Sequence, residues 1–484
     1  MLTADTYSFY QLVIRKHACR MRYILHQLNS GELQLEDLKK NLEYAALVLE
    51  SAYLDERRHL CDEDDDEFAA LDAEDVSDQV RLWLQSTFTQ PRGATTRRNF
   101  KQVANVIKTG LMFDKILKRS NRVIIPIPPK IKKVLKKIDR WDFDAFKLNE
   151  VSDGNALIYV GFEIFNRYGF MDHYKISPDK LQAYLGALQI GYSKHGNPYH
   201  NLIHAADVTH TADWMISQTG LAPILSDIEC FALIFGALIH DYEHTGHTNN
   251  FHVATSTDLT LLYNDKSVLE NYHVSSCFKL LKDEDKNLVS ALSLEEYRQF
   301  RSLVIDLVLA TDMSTHFVQY KTIKHQLSQP ELDIDKSRAL CLILHACDIS
   351  HPAKPFKLHE RWTKMLAEEF FRQGDQESAL GLPFSPLCDR KTEANLPESQ
   401  VGFIEFIIEP MFMVCGDMMA KMLLDSEKAE KVEETTESAS PTPMEPVKIP
   451  TVPTPWLELM SANKEKWKEI SASRDEQETG KEQE

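Results

Sequence analysis

The sequence lacks the patterns that usually mark a zinc knuckle, a disulfide framework or a phosphate-binding loop. Its eight cysteines are scattered among 484 residues, and none forms a C-x-x-C pair. This spacing argues against both cysteine-based sites and favours reduced thiols in a cytosolic protein. The G-x-G-x-x-G and G-x-x-x-x-G-K-[ST] patterns are also absent, so the sequence predicts no glycine-rich phosphate loop of these kinds.

Long apolar runs are missing as well. The longest extends from Ile228 to Ile239 and is interrupted by Glu229 and Cys230. A membrane-spanning helix needs about 20 mostly apolar residues, and the first residues do not contain the apolar core of a signal peptide. We therefore expect a soluble, cytosolic protein without a membrane span.

Positive charge is in deficit. Lysine and arginine total 55 against 73 aspartates and glutamates, which gives a net charge of −18. Non-specific binding to a nucleic acid polymer needs a cationic surface, so that class of function is excluded. A small phosphate ester held by metal ions remains compatible with this charge.

Composition divides the chain into three regions. Residues 1–135 contain two basic amphipathic segments, at about 10–30 and 95–120. Basic helices of this kind bind calmodulin, lie on membranes or pack against their own protein. Residues 136–424 have the pattern of a helical globular domain. Residues 425–484 are acidic and rich in proline, serine and threonine, which predicts a mostly disordered tail with a short terminal helix.

The local patterns predict an all-α fold. Apolar residues recur at helical spacing, and neither a period of two nor a β-α-β rhythm is sustained. Ser177 precedes a proline and predicts a helix start, and Ser226 or Asp227 can cap the apolar helix that ends near His240. Ser293 and Glu296 have the spacing of a capping box.

Histidine and aspartate are concentrated where apolar helices end. His200 and His204 are four residues apart and share a helix face, while His240-Asp241 and Asp348 each follow an apolar helix. Each pattern alone is common in proteins without a metal. Together they suit Zn²⁺ with a second, harder cation. The order H…HD…D resembles that of the HD superfamily of metal-dependent phosphohydrolases.

Longer segments make the resemblance closer. YHNLIHAADV, IHDYEHTGHTNN, HACDISHP, GLPFSPLCD and SQVGFIEFIIEP stand in the order typical of class I 3′,5′-cyclic-nucleotide phosphodiesterases. Upstream, QLNSGELQLEDLKKNLEYAALVLESAYLDE and VRLWLQSTFTQ resemble the regulatory segment of the calcium/calmodulin-dependent branch. The resemblance implies a compact multi-helix HD-type catalytic domain behind a helical regulatory region, and a homodimer.

The same resemblance implies roles for individual residues around two metal ions. The implied zinc ligands are His204, His240, Asp241 and Asp348, with Asp241 bridging to a second cation, usually Mg²⁺. His200 is implied to be the general acid that protonates the departing O3′ atom.

Three further residues are implied to support this centre. Glu270 is expected to orient the general acid, while His244 and Asn249 are expected to hold water around the second cation.

The implied nucleotide pocket begins with Gln400, which is expected to hydrogen-bond the purine edge. Phe403 and Leu366 are expected to enclose the base, although both are ordinary core residues if the resemblance is set aside. The other implied lining residues are Tyr199, His351, Met313 and Phe384.

The implied function is calcium/calmodulin-stimulated hydrolysis of cAMP and cGMP to 5′-monophosphates by a two-metal hydroxide mechanism, which ends cyclic-nucleotide signals. Both basic segments are then expected to bind Ca²⁺-calmodulin. One alternative is another HD-superfamily nucleotide phosphohydrolase, although such enzymes lack the SQVGFIEF purine clamp. The other is an inactive calmodulin-binding scaffold, which would need a broken ligand set.

Overall fold

The computed structural model describes residues 127–329, 333–437 and 452–481, and these residues form helices and connections without a β-strand. The all-α prediction is therefore confirmed for this part of the chain. The α-helices in chain order are α1 Pro129–Leu135, α2 Ala145–Val151, α3 Ala156–Tyr168, α4 Phe170–His173, α5 Pro178–Tyr192, α6 Leu202–Ser217, α7 Asp227–Ile239, α8 Asn249–Ala254, α9 Asp258–Tyr263, α10 Val268–Leu280, α11 Leu294–Leu309, α12 His316–Leu327, α13 Lys336–Asp348, α14 Phe356–Ala379, α15 Leu396–Phe403, α16 Glu409–Glu437 and α17 Trp456–Lys481. Among the described helices, none is both long and apolar enough to cross a bilayer.

Helix α7 lies at the centre of the core. Its start is fixed by Ser226, one of the two predicted caps, which forms a capping box with Glu229. The predicted helix starts at Ser177 and Ser293 are confirmed as well. Eleven of its 13 residues are buried, and it packs against α6 and α11. Each buried large apolar side chain contributes about 1.5–3 kcal/mol. The helix is therefore held firmly, and it fixes the position of His240 at its end.

Helix α6 is buried along almost its whole length and carries His204 in its first turn. The side chain of Asn201 caps its start by accepting a hydrogen bond from the Ile203 amide at 2.9 Å. Farther along, the buried Asp213 carboxylate forms an ion pair of 2.6 Å with Arg167. Because α6 packs against both α7 and α13, three of the helices that carry predicted metal ligands meet in the core.

The C-terminal segment contains the predicted terminal helix as α17, but more of it is helical than the prediction of a mostly disordered tail allows. Helix α16 continues to Glu437, and α17 buries Trp456, Met460 and Trp467 on one face. The Trp456 ring lies 5.3 Å from that of Trp141, centroid to centroid. These apolar residues recur at helical spacing within a polar sequence, so the prediction from average composition missed a stripe that packs against the domain.

The boundary expected at residue 136 is also too late. Ile131 and Leu135 of α1 are buried in the same core, at 2% and 6% exposure. The helical globular region therefore begins before residue 136. The two basic segments, at about 10–30 and 95–120, lie outside the described residues.

Candidate metal centre and active site

The four predicted zinc ligands come together at one point. His204 Nε2 lies 3.0 Å from Asp348 Oδ1, 3.2 Å from His240 Nε2 and 3.3 Å from Asp241 Oδ2. His240 Nε2 lies 3.1 Å from Asp241 Oδ2 and 3.3 Å from Asp348 Oδ1. Residues separated by more than 100 positions in sequence thus direct two imidazole nitrogens and two carboxylate oxygens at the same small volume.

The spacing of these atoms fits a tetrahedral divalent cation. Ligand atoms at about 2.0–2.2 Å from zinc lie roughly 3.3–3.6 Å apart in a tetrahedron, close to the separations of this cluster. Asp241 Oδ2 is buried and has no hydrogen-bond donor, which is the state expected of an oxygen that binds a cation. Burial alone raises the pKa of Asp241, but the neighbouring imidazoles outweigh burial and hold it well below its usual value.

Hydrogen bonds around the cluster fix the orientation of its ligands. The His240 Nδ1–H group donates to the carbonyl of Ala237 at 2.9 Å, which leaves the Nε2 lone pair pointing into the cluster. The Asp241 amide donates to the Tyr192 hydroxyl at 3.2 Å, and that hydroxyl donates to the Leu238 carbonyl at 3.1 Å. His240 and Asp241, which follow α7, are therefore each held by a hydrogen bond outside the cluster.

A second group of possible ligands shares Asp241. It adds His244 and His273, and one ligand atom from each of the three residues falls within 4.8 Å of the others. His273 Nδ1–H donates to the Tyr242 carbonyl at 2.7 Å, while its Nε2 lies 3.7 Å from Asp241 Oδ1. Sequence reasoning missed His273, although it stands three residues after Glu270 in the segment LENYH and so shares a helix face with it.

The expectation that Glu270 orients His200 is wrong. Both Glu270 oxygens accept hydrogen bonds from the Asn249 amide, at 3.0 and 3.2 Å. The carboxylate that contacts His200 belongs instead to Glu369 of α14, and it accepts the His200 Nδ1–H group. Its other oxygen accepts the backbone amides of Tyr199 and His200, at 2.9 and 3.0 Å.

The position of Glu369 on α14 explains why it reaches the site. It lies on the same helix face as the buried residues Trp362 and Gln373, seven residues before and four residues after it, and is only 3% exposed. Its neighbour Glu368 faces outward and pairs with Arg372 and Arg390. Both adjacent glutamates can be read from the sequence, but only the phase of the helix shows which of them faces the site.

The carboxylates around His200 favour its protonated form. Burial alone lowers its pKa, but the carboxylates of Glu369, Asp241 and Asp348 outweigh burial and raise the pKa to about 9. Its Nε2 atom faces the cluster, 4.0 Å from Asp241 Oδ2. The His244 ring stacks on it at 3.9 Å between centroids, and burial together with the charge of His200 keeps the pKa of His244 well below its usual value.

The residues expected to contact the nucleotide are partly brought together. Gln400 and Leu366 line the same cavity, with Thr363, Phe371 and Leu396 among the other lining residues. The remaining expected pocket residues, which are not part of that lining, are Phe403, Tyr199, His351, Met313 and Phe384.

These remaining residues lie in different surroundings. Phe403 is 8% exposed, whereas Phe384 is 47% exposed. Tyr199 packs its ring against that of His204, at 4.8 Å between centroids, and so borders the metal cluster. Met313 lies in a short 3₁₀ helix, Met313–Thr315.

A chain of hydrogen bonds connects Gln400 to the C-terminal helix. The Thr363 hydroxyl donates to Gln400 Oε1 at 3.2 Å and lies 3.4 Å from His359 Nδ1. His359 Nε2 accepts the Trp467 indole N–H group at 2.7 Å, and His359 Nδ1 lies 2.9 Å from His351 Nδ1. His351 therefore pairs with His359 in this structure, and α17 is linked to the residue expected to read the purine.

Comparison with known proteins agrees with this arrangement. A family model described as 3′5′-cyclic nucleotide phosphodiesterase matches residues 199–426, and a model of the N-terminal region of such enzymes matches residues 59–115. A Caenorhabditis elegans protein named as a probable 3′,5′-cyclic phosphodiesterase is 53% identical over 95% of this chain and 73% of its own length. The chain belongs to the 3′,5′-cyclic-nucleotide phosphodiesterase family.

Other relatives indicate the branch of that family. The human protein named dual specificity calcium/calmodulin-dependent 3′,5′-cyclic nucleotide phosphodiesterase 1C is 50% identical over 84% of this chain and 58% of its own length. The rat protein named 1B in the same series is 45% identical over 94% of this chain and 87% of its own length. The chain thus belongs to the calcium/calmodulin-dependent branch.

Solved structures agree on the fold. The phosphodiesterase domain of a rhodopsin fusion protein from the choanoflagellate Salpingoeca rosetta is similar, with a TM-score of 0.60 and 27% identity. The match covers 72% of this chain and 99% of that domain. The predicted catalytic architecture is therefore confirmed.

Proposed function

We propose that this chain hydrolyses cAMP and cGMP to their 5′-monophosphates at the cluster of His204, His240, Asp241 and Asp348, and that calcium-loaded calmodulin stimulates it. The observation that carries the proposal is the juxtaposition of this four-residue cluster with His200, a half-buried imidazole whose Nδ1–H group donates to Glu369. Family membership supports the choice of a cyclic nucleotide over other phosphate esters.

The donor set suits Zn²⁺ at the four-residue cluster and Mg²⁺ beside it. His204, His240, Asp241 and Asp348 would hold the zinc, and the free side of Asp241 near His244 and His273 would face the second ion with its water. When bound, such a pair supplies Lewis acidity toward the phosphoryl oxygens and lowers the pKa of water. Asn249, whose amide donates to Glu270, is proposed to hold that water together with His244.

His200 is proposed to be the proton donor to the leaving O3′ atom. The Glu369 carboxylate accepts the Nδ1–H group, so the remaining N–H group is on Nε2, which faces the cluster. A pKa raised to about 9 keeps this proton in place near neutral pH. A positioned acid of this kind contributes roughly 10²–10⁴-fold to the rate.

Gln400 is proposed to read the purine, with Phe403 and Leu366 enclosing it. Adenine and guanine present opposite donor and acceptor patterns. One side-chain amide can bind both only if it can flip, so that its oxygen and nitrogen exchange places. The Thr363 hydroxyl bonds the Gln400 amide and can either donate or accept. It therefore does not lock one orientation, which supports hydrolysis of both cyclic nucleotides.

Regulation by calmodulin is supported by the names of the calcium/calmodulin-dependent relatives and by the basic segments at about 10–30 and 95–120. The N-terminal region is proposed to restrain the catalytic domain until calmodulin binds. A homodimer and a cytosolic location stay predictions.

The test compares the full chain with a form lacking residues 1–126, which keeps the buried residues of α1. Each is assayed on cAMP and cGMP, with and without Ca²⁺-calmodulin, and on a nucleoside triphosphate as a control substrate. We expect the full chain to be stimulated and the truncated chain to be active without calmodulin. Turnover of the triphosphate alone would instead indicate another HD phosphohydrolase.

A further inference from the structure

A large cavity lies away from the residues discussed so far, at the junction of α10, the turn after it and α11. Its volume is about 670 Å³, within the range of sites that hold small organic ligands. It has no lining residue in common with the metal cluster or with the cavity beside Gln400. Its lining residues are Ser275, Phe278, Lys279, Leu281, Lys282, Asn287, Val289, Tyr297 and Arg301.

The lining is positively charged although the whole chain carries a net charge of −18. Lys279, Lys282 and Arg301 contribute three cations, and none of the lining residues is an acid. In the described part of the chain, no ion pair is recorded for any of the three. The cavity therefore offers unpaired positive charge to an anion.

Two of the acidic side chains close to the cavity in sequence are engaged elsewhere. Asp283 pairs with Lys286 at 2.6 Å. Glu296 is held in its capping box, where its carboxylate accepts the Ser293 amide at 2.8 Å. These contacts direct both carboxylates toward partners outside the lining.

Two aromatic rings complete the wall. The Arg301 guanidinium lies over the Phe278 ring, 4.2 Å from its centroid, which fixes the cation without using its N–H groups. Tyr297 lines the cavity beside it. Asn287 accepts the Val289 amide through Oδ1 at 3.1 Å, so its Nδ2 group is available to donate.

We propose that this cavity binds a small organic phosphate that carries a planar ring. The phosphate would contact Lys279, Lys282 and Arg301, and the ring would pack against Phe278 and Tyr297. Lysines near the end of a helix also balance its dipole, which explains Lys279 and Lys282 without a ligand. That explanation fails for Arg301, which stands in the N-terminal half of α11.

The test uses ATP as the probe and the full chain as the protein. Binding is measured by calorimetry, and the site is located by photo-crosslinking with 8-azido-ATP followed by peptide mapping. We expect Arg301→Ala and, separately, Lys282→Ala to weaken ATP binding at least about tenfold and to remove the adduct from residues 275–301. Arg298→Ala is the matched control, because Arg298 is an exposed cation on the same helix outside the lining.

Thermal melts of all three variants identify loss of folding, and Lys282 is exposed enough for its replacement to be tolerated. Unchanged affinity in both site variants would overturn the proposal, as would an adduct found only at the Gln400 pocket. Binding of inorganic triphosphate as tightly as ATP would overturn the role of the aromatic wall.

Discussion

Replacing Glu369 by glutamine tests how His200 is kept protonated. Glutamine has nearly the same shape, and its amide oxygen can still accept the backbone amides of Tyr199 and His200. Its NH₂ group cannot accept the Nδ1–H group of a protonated His200. The variant therefore removes the carboxylate that most strongly raises the pKa of His200 and leaves the loop largely in place.

The size of the effect follows from the pKa. Burial of His200 opposes protonation, and carboxylates led by Glu369 raise its pKa from 6.5 to about 9, a difference of about 3 kcal/mol. Near pH 7.5, a fall to 6.5 or below would reduce the protonated fraction roughly tenfold, and loss of orientation adds to this. We expect kcat to fall about 10- to 100-fold, KM to change little, and the basic limb of the pH–rate profile to move to lower pH.

The same ion pair contributes to stability. Because the folded-state pKa of His200 is raised, its contribution is complete below about 6.5 and is lost as the pH rises through about 9. The folded-state pKa of Glu369 is lowered from 4.5 to about 2. The contribution of Glu369 to folding stability is therefore complete above about pH 4.5 and is lost as the pH falls through about 2. The stability difference between wild type and Glu369→Gln should therefore be largest between about pH 4.5 and 6.5.

The assay is steady-state hydrolysis of cAMP across pH, with urea unfolding in parallel. Glu368→Gln is the matched control, because its exposed carboxylate pairs with arginines on the outer face of the same helix. Near-normal kcat in Glu369→Gln with an unshifted pH profile would show that the Glu369 carboxylate does not keep His200 protonated. A large fall of kcat in both variants would indicate a general effect on α14 instead.

Three further changes test other parts of the site. Asp241→Asn should reduce the amount of zinc bound to the protein, measured by mass spectrometry, by at least about tenfold. Full zinc occupancy in this variant would show that Asp241 is not a ligand. Trp467→Phe keeps an aromatic ring, although a smaller one, and loses the N–H donor to His359. We therefore expect KM for cAMP and cGMP to change by different factors while kcat stays within about twofold, and identical kinetics would show that α17 does not act on Gln400. Asn197→Ala removes the amide that donates to the carbonyls of His200 and His244, at 3.0 and 2.6 Å, so kcat should fall about tenfold with little change in zinc content, and a full rate would contradict this bridging role.

Local sequence patterns were sufficient for the all-α fold, and they singled out candidate ligands that the family resemblance then assigned. The spacing of apolar residues and the caps at Ser226 and Ser293 identify helices because both signals act within a few residues. His240, Asp241 and Asp348 stand out because each polar group follows an apolar helix. Family resemblance then linked them to His204, and the distances in the cluster agree with that assignment.

The partner of His200 could not be obtained in the same way. Glu270 is half-buried and Glu369 is buried, both near the site, and the sequence contains no signal that tells which carboxylate reaches the imidazole. That choice depends on how α10 and α14 pack against the loop before α6, which is a property of the tertiary structure. Phe384 shows the same limit, since its exposure depends on the loop after α14.

The packing of the C-terminal helix was missed for a different reason. Average composition predicts disorder for a polar, charged segment, but Trp456, Met460 and Trp467 lie on one face and bury their side chains. A few large apolar residues at helical spacing can therefore outweigh the average, because burial of each aromatic side chain contributes a few kcal/mol.

The most direct test of the metal centre is to strip the protein with a chelator, confirm that less than about 0.1 equivalent of metal remains, and follow conversion of cAMP to 5′-AMP as Zn²⁺ and Mg²⁺ are restored. We expect no turnover in the stripped protein and recovery that saturates with occupancy of the cluster formed by His204, His240, Asp241 and Asp348. Full turnover by the metal-free protein, or 3′-AMP as the product, would contradict it.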